Sequence, residues 1–375
     1  MTSRIARSHG RPTRAETKVG RRSLTKTWTP LPFATRTVLD HAVRELARFE
    51  DATSTPNAPL ARLLPWAESM ASARLEGRPA RAEQVAMAER GRTLQREAKW
   101  VVAGMGATRA ALQVAGALNA DAISEVHAEL VAGAKPFRFG RQPLPLAGSG
   151  PAALHEALTR IPPLPSDEVG AALDDLVAFG QRDDVHPLAR VAIAHARLQT
   201  VQPFAAGNGM VARALVHGQM RAAGILRASL APMSAALAAD PRGYAVALLA
   251  YHEGDVLPIV ERFAHAALEA VGRSRRLRED LATIHERWRE ASTGLRRHAT
   301  AWQVLPLALG SPTLDAAGIA QQVGASRMAV YNALGVLEER GVLEPLTPGS
   351  RRNRAWRAPA VLVALDRFQL RDSTF

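Results

Sequence analysis

The chain has 375 residues, and 48 Lys and Arg against 35 Asp and Glu give it a formal charge of +13. That length leaves room for two or three folded units of ordinary size, and with no cysteine disulfides and thiolate metal sites are excluded. No window approaches the roughly 18 uninterrupted apolar residues of a membrane-spanning helix, and no apolar leader core stands near the start, so a soluble, cytoplasmic protein is expected.

The basicity is uneven. Residues 1–26 hold eight Lys or Arg and one Glu, and without them the net charge would fall to +6. Residues 1–27 therefore read as a disordered basic tail, too poor in large apolar residues to fold alone. Over the whole chain the hydrophobic fraction is 47% and the aromatic fraction 5%. The apolar residues recur in long stretches rather than in short alternating runs, which predicts a mainly α fold.

An extended entry through Trp28 and Pro30 leads to helical spacing over Arg36–Glu50. After a loop rich in Pro, Thr and Asn, a second helix is expected over Leu60–Ala73, stopped by Gly77 and Pro79. Further helices are expected at 81–117, 119–132, 166–181, 187–201, 209–224, 231–238, 241–251 and 255–290. Prolines and glycines between Lys135 and Pro151 forbid a helix and suit a short β-hairpin flap. Residues 273–298 carry eight Arg against four acids and read as a solvated helical linker.

Within TVQPFAAGNGMVAR, starting at Thr200, Gly207-Asn208-Gly209 precedes a strongly helical run. Glycines let the backbone take positive φ and bring successive N–H groups toward an anion, and the following helix adds its positive end. A bare GNG also fits an ordinary turn between helices. With its surroundings, HPLARVAIAHARLQTVQPFAAGNGMVARALVHGQMRAAGIL, the segment resembles the core of the Fic family (Fic/DOC fold) of nucleotidyl-transferring enzymes, whose pattern is HPFx(D/E)GNGRxxR. PLPF before the first helix and PRGYAVALLAYHEGDVLPIVERFAHAAL extend the likeness over most of residues 28–272.

The resemblance implies a His base that takes a proton from a target hydroxyl, an acid that holds Mg²⁺, a GNG loop on the nucleotide phosphates and two phosphate-binding arginines. Carried over residue by residue, it marks Phe204, Gly207, Asn208, Gly209 and Arg213 as nucleotide-binding. Gln202 stands at the base position, Ala206 at the acid and Met210 at the first arginine. An amide accepts no proton near neutral pH, loss of a base costs about 10²- to 10⁴-fold, and Ala206 offers Mg²⁺ no oxygen. An impaired AMP-transferase site is therefore expected; ATP or another nucleotide remains a candidate ligand, Mg²⁺ a doubtful one and a resident metal none. His195 and His217 are the nearest residues that could stand in as a base.

Ser72, Glu76 and Gly77 form SxxxEG, which looks like the family's inhibitory helix, whose Glu pairs with the second motif arginine, here Arg213. Near the C-terminus, SPTLDAAGIAQQVGASRMAVYNALGVLEERGVLEPL has the cadence of a helix-turn-helix, with one helix through Val323 and a second over Arg327–Arg340. TPGSRRNRAWR then looks like a basic wing. Ser326, Arg327, Tyr331 and Asn332 are candidates for groove contact, and Arg351, Arg352 and Arg354 for phosphate or minor-groove contact.

The expected organisation is a basic tail (1–27), an N-terminal helical region with the inhibitory helix (28–117), a Fic core (118–272), a helical linker (273–300) and a winged-helix domain (301–375). Besides a protein-interaction scaffold with no ligand, two functional readings stand. One is a pseudoenzyme that acts as a nucleotide-responsive, DNA-binding regulator. The other is an active adenylyltransferase (AMPylator) under Glu76 auto-inhibition, with a protein target docking at the 138–148 flap. Relatives often dimerise, so a homodimer is an expectation from the resemblance.

Overall fold

The computed structural model describes residues 23–24, 30–53, 58–115, 119–131, 154, 159–347, 349 and 354–370. Most of the basic tail, the flap at 138–148, and Arg351 and Arg352 lie outside them. The fold is mainly helical, with one small three-stranded antiparallel sheet.

The first five helices are α1 (Phe33–Thr53), α2 (Pro59–Leu75), α3 (Ala82–Glu89), α4 (Arg96–Gln113) and α5 (Ala120–Leu130). The sequence pattern predicts one helix over 81–117, and the structure breaks it in two. Gly91 adopts φ +65°, which glycine takes without steric cost. The turn lets Arg92 N–H bond back to the Met87 carbonyl at 2.8 Å and Gly91 N–H to Ala88 at 2.9 Å, satisfying carbonyls at the end of α3.

Next come α6 (Ser166–Gly180), α7 (Pro187–Val201), α8 (Asn208–Ala222), α9 (Met233–Ala239) and α10 (Pro241–Glu253). Pro187 at the first position of α7 needs no N–H partner, and His186 Nδ1 accepts from Leu188 N–H at 3.3 Å. Helix α8 packs between α4 and α7. Two glycines permit its close approach to α4: a Cβ on Gly218 would collide with the Ala111 carbonyl, and one on Gly104 with the Met210 methyl. Glycine inside a helix costs roughly 1 kcal/mol against alanine, and here the return is side-chain and backbone packing.

Helix α11 runs unbroken over Leu257–Ala291, straight through the expected boundary at 272/273. The linker is therefore not a separate, wholly solvated segment. Arg273, Leu277, Leu281, Ile284 and Trp288 are buried on one face, at helical spacing, with the other arginines left toward solvent. The helix is about 50 Å long at 1.5 Å per residue.

The C-terminal unit comprises α12 (Thr300–Gly310), β1 (Thr313–Asp315), α13 (Ala316–Val323), α14 (Arg327–Glu339), β2 (Glu344–Pro345), β3 (Ala355–Arg357) and α15 (Pro359–Leu370). β3 lies between β1 and β2, with Trp356 opposite both Leu314 and Pro345. Trp356 is fully buried and donates its indole N–H to Glu338 at 2.9 Å. This unit sits firmly on α2 and α3. Gln369 Nε2 donates to the Ala67 carbonyl at 2.9 Å, Arg74 to the Gln369 carbonyl at 2.6 Å, and Ala82 N–H to Asp366 at 2.8 Å. Among the described residues no helix is long and apolar enough to cross a membrane.

Candidate functional site

The loop between α7 and α8 is shaped by three backbone decisions. Gln202 closes α7 at φ +49°, the only positive-φ residue other than glycine among the described residues. Such a conformation costs a non-glycine side chain free energy and persists where the surroundings over-determine it. Gly207 takes φ +81°, and a Cβ there would meet Leu130 Cδ2 at 2.7 Å. Asn208 then ties the loop shut, its Oδ1 accepting from Phe204 N–H at 2.9 Å and its Nδ2 donating to the Phe204 carbonyl at 2.7 Å. The glycines and the asparagine thus hold the first turn of α8 with its unsatisfied N–H groups forward.

What faces that turn is a carboxylate from the same chain. Gly77, at φ +72°, terminates α2, with Arg78 N–H bonded to the Ala73 carbonyl at 2.9 Å, and leaves Glu76 as the C-cap. A negative group is poorly placed at the carbonyl end of its own helix, but here it meets the positive end of α8. The Glu76 carboxylate fills the space over Gly209, where a Cβ would collide with Oε1.

Arg213 Nη2 donates to Glu76 at 2.6 Å and to the Ser72 carbonyl at 3.1 Å, while its Nε donates to Ser72 Oγ at 2.8 Å. Arg213 is 2% exposed and Glu76 6%. Burial opposes the guanidinium charge, and Glu76 and Tyr244 outweigh it, so the Arg213 pKa is raised. Ser72, Glu76, Gly77, Gly209 and Arg213, chosen from two distant stretches of sequence, therefore form one cluster.

The three positions at which the resemblance would place a base, an acid and a first arginine make other contacts. Gln202 Nε2 donates to the Ile161 carbonyl at 3.3 Å. Met210 is buried against Gly104 and accepts from Ser72 Oγ at 3.0 Å through its sulfur. Ala206 contributes its carbonyl, which accepts from His127 Nε2 at 3.1 Å. Among the described residues no group of three or more His, Asp or Glu could hold a metal ion, and the donor set around Ala206 does not fit Mg²⁺, which wants oxygen ligands.

Both histidines considered as substitute bases are buried. His195 is 1% exposed and shares a 2.6 Å hydrogen bond with Tyr244 Oη. Burial, with the nearby Arg213 charge, pushes its pKa down to about 3. His217 is buried 3.1 Å from Glu68, whose carboxylate also accepts from Ser234 N–H at 2.9 Å and from the Ser234 hydroxyl.

His127 on α5 was not singled out by the sequence. Its ring stacks on Phe204 at 3.8 Å between centroids and 3° between planes. Burial lowers its pKa, outweighing the bond to Ala206. A lone histidine in an amphipathic helix carries no signal in the sequence that would mark it.

In the C-terminal unit, Ser326 caps α14 by accepting from Ala329 N–H at 3.2 Å. Arg327, Met328 and Asn332 are exposed on that helix. Tyr331 is 41% exposed and meets Trp356 edge-on at 5.7 Å. Arg354 donates to Glu338 at 2.5 Å and lies 4.8 Å over the Trp356 ring, so its charge is already engaged.

Residues 117–220 match the model of the Fic/DOC family. A Fic family protein from Desulfovibrio desulfuricans G20 is similar in structure, with a TM-score of 0.50 and 21% identity over 88% of this chain and 97% of that one. Fic-1 from C. elegans has a TM-score of 0.50 at 19% identity, over 66% of this chain and 73% of that chain. At these identities the likeness establishes the Fic-type fold. No curated protein matches the sequence.

Proposed function

We propose that this protein is a regulator in which a Fic-type body with an impaired AMP-transfer site is joined to a winged-helix unit that binds DNA. The observation that carries the reading is the Glu76 carboxylate over Gly209, pinned by Arg213, beside a loop with no base, acid or first arginine. A phosphate-binding loop has been kept and the groups that would turn binding into transfer have not. Gln202 is a hydrogen-bonding side chain and no proton acceptor. ATP or another nucleotide would displace Glu76 to reach the α8 amides, and its occupancy would then be felt in α2, on which the C-terminal unit rests.

The DNA reading is supported by α14, whose first two turns leave Arg327 and Asn332 exposed, the side-chain types that read base edges in a major groove. Tyr331 would contribute less, being partly committed to Trp356, and Arg354 would have to leave Glu338.

Incubation of the wild type and Glu76→Gly with labelled ATP and Mg²⁺ or Mn²⁺ separates the two readings. The regulator reading expects no self-labelling from either, with ATP raising the Tm of Glu76→Gly. Robust labelling would replace it with the auto-inhibited AMPylator.

A further inference from the structure

A sizeable cleft lies away from the motif loop. It measures about 860 Å³, within the size range of small-molecule sites, and its walls belong to two different parts of the molecule. One wall is a face of α4, where Lys99, Val102, Gly106 and Arg109 follow one another at helical spacing. The other is the start of the C-terminal unit, with Leu314, Ile319 and Gln322.

The charges of the cleft divide into spent and unspent groups. Arg90 is spent: it bonds Asp315 at 2.6 Å, Thr313 Oγ1 at 3.1 Å and the Thr313 carbonyl at 3.0 Å. Glu89 accepts from the Thr313 hydroxyl at 2.6 Å. Lys99 and Arg109 make no ion pair among the described residues, and Arg62 makes one 3.3 Å bond to Gln322. Between Lys99 and Arg109 the notch at Gly106 opens onto Glu129, whose Oε2 would be 3.2 Å from a Cβ at that position. The lining of the cleft therefore includes unpaired cations two turns or more apart on α4, a carboxylate acceptor beside Gly106 between them, and the apolar Val102, Leu112, Leu314 and Ile319.

We propose that this cleft binds a mononucleotide-sized organic phosphate, with the phosphate on Lys99 or Arg109, a hydroxyl or amine donating to Glu129, and the body along the apolar strip. Such a ligand touches both walls at once and so fixes the C-terminal unit against α4. On its neighbouring face α4 carries Gly104 against Met210 in the first turn of α8. The assignment rests on the cleft alone and holds whether or not the motif loop takes a nucleotide.

The test is hydrogen exchange and thermal melting of the full chain with AMP, glucose 6-phosphate and inorganic phosphate as probes. The expected result is that AMP or glucose 6-phosphate raises the Tm and slows exchange in residues 99–112 and 311–322, while inorganic phosphate does neither. Lys99→Glu or Arg109→Glu, both at exposed positions, should weaken the effect at least about tenfold, the loss of one charge-assisted bond. Asn208→Ala, which opens the motif loop, should leave it unchanged. The proposal is overturned by no protection with any probe, by protection that survives both charge reversals, by equal protection from inorganic phosphate, or by its loss in Asn208→Ala. Lys99→Gln and Arg109→Gln serve where a reversal lowers the unliganded Tm.

Discussion

Two helices begin in similar ways and end in opposite circumstances. Helix α8 and helix α14 each follow a tight turn, the first without a side-chain cap and the second capped by Ser326. The start of α8 is walled in: Gly209, Met210 and Arg213 are buried and a carboxylate from α2 covers it. The start of α14 is open, with Arg327 and Met328 exposed. A helix start is thus held internally in one place and offered outward in the other. Whether a helix start serves a partner is decided by what tertiary packing lays over it.

The sharpest way to break the contrast is to remove the cover of α8. Glu76→Ala leaves the Arg213 guanidinium buried with its countercharge gone and should cost about 3–5 kcal/mol in urea denaturation. Arg213→Met should cost a similar amount, and the double variant should recover part of the loss, because no unpaired charge then remains. If the single variants melt like wild type, the pair does not hold α2 to α8.

On the open side, Arg327→Ala should weaken binding to a selected DNA site by about 1–3 kcal/mol if the side chain reaches a base edge. If it meets only phosphate, the loss should be uniform across sequences and the salt dependence shallower. Fluorescence anisotropy at two salt concentrations distinguishes these results, and unchanged binding removes α14 as the reading element.

Burial also predicts a pH dependence. An unfolded histidine titrates near 6.5, whereas folded His195 does so at about 3, so between those values the unfolded state binds the extra proton. Stability from this group is complete above about pH 6.5 and falls by roughly 1.4 kcal/mol per unit as pH drops below it. His127, whose pKa is also lowered by burial, acts in the same direction. Denaturation between about pH 7.5 and about pH 5 checks the slope, and His195→Gln should flatten it. The smallest effect expected is for Ser326→Ala, which removes the cap of α14 at about 1 kcal/mol and leaves the α8 region untouched.

Helices with strong terminal signals were readable from sequence. Residues 187–201, opened by a proline, form α7 as expected, and Ser326 caps α14 as its position suggests. The α3–α4 break was hidden because the residues around Gly91 include good helix formers, and a single glycine inside a periodic run does not announce a turn. Helix α15 and strand β1 were missed because both are short and gain their definition from contacts with residues far along the chain. The site divides in the same way. Gly207, Asn208, Glu76 and Arg213 belong to recognisable patterns, but His127 stacked on Phe204 and the commitment of Arg354 to Glu338 exist only once remote segments meet.

The clamping of α2 has a mechanical consequence. The helix is gripped along its length by α4, α9, α11, α12 and α15, and its last turn is fastened through Arg74 to the Gln369 carbonyl at 2.6 Å. It cannot withdraw without tearing the C-terminal unit from its seat. A force applied at Glu76 would therefore be carried along α2 into the C-terminal unit, because a helix held on so many sides has no slack of its own to absorb it.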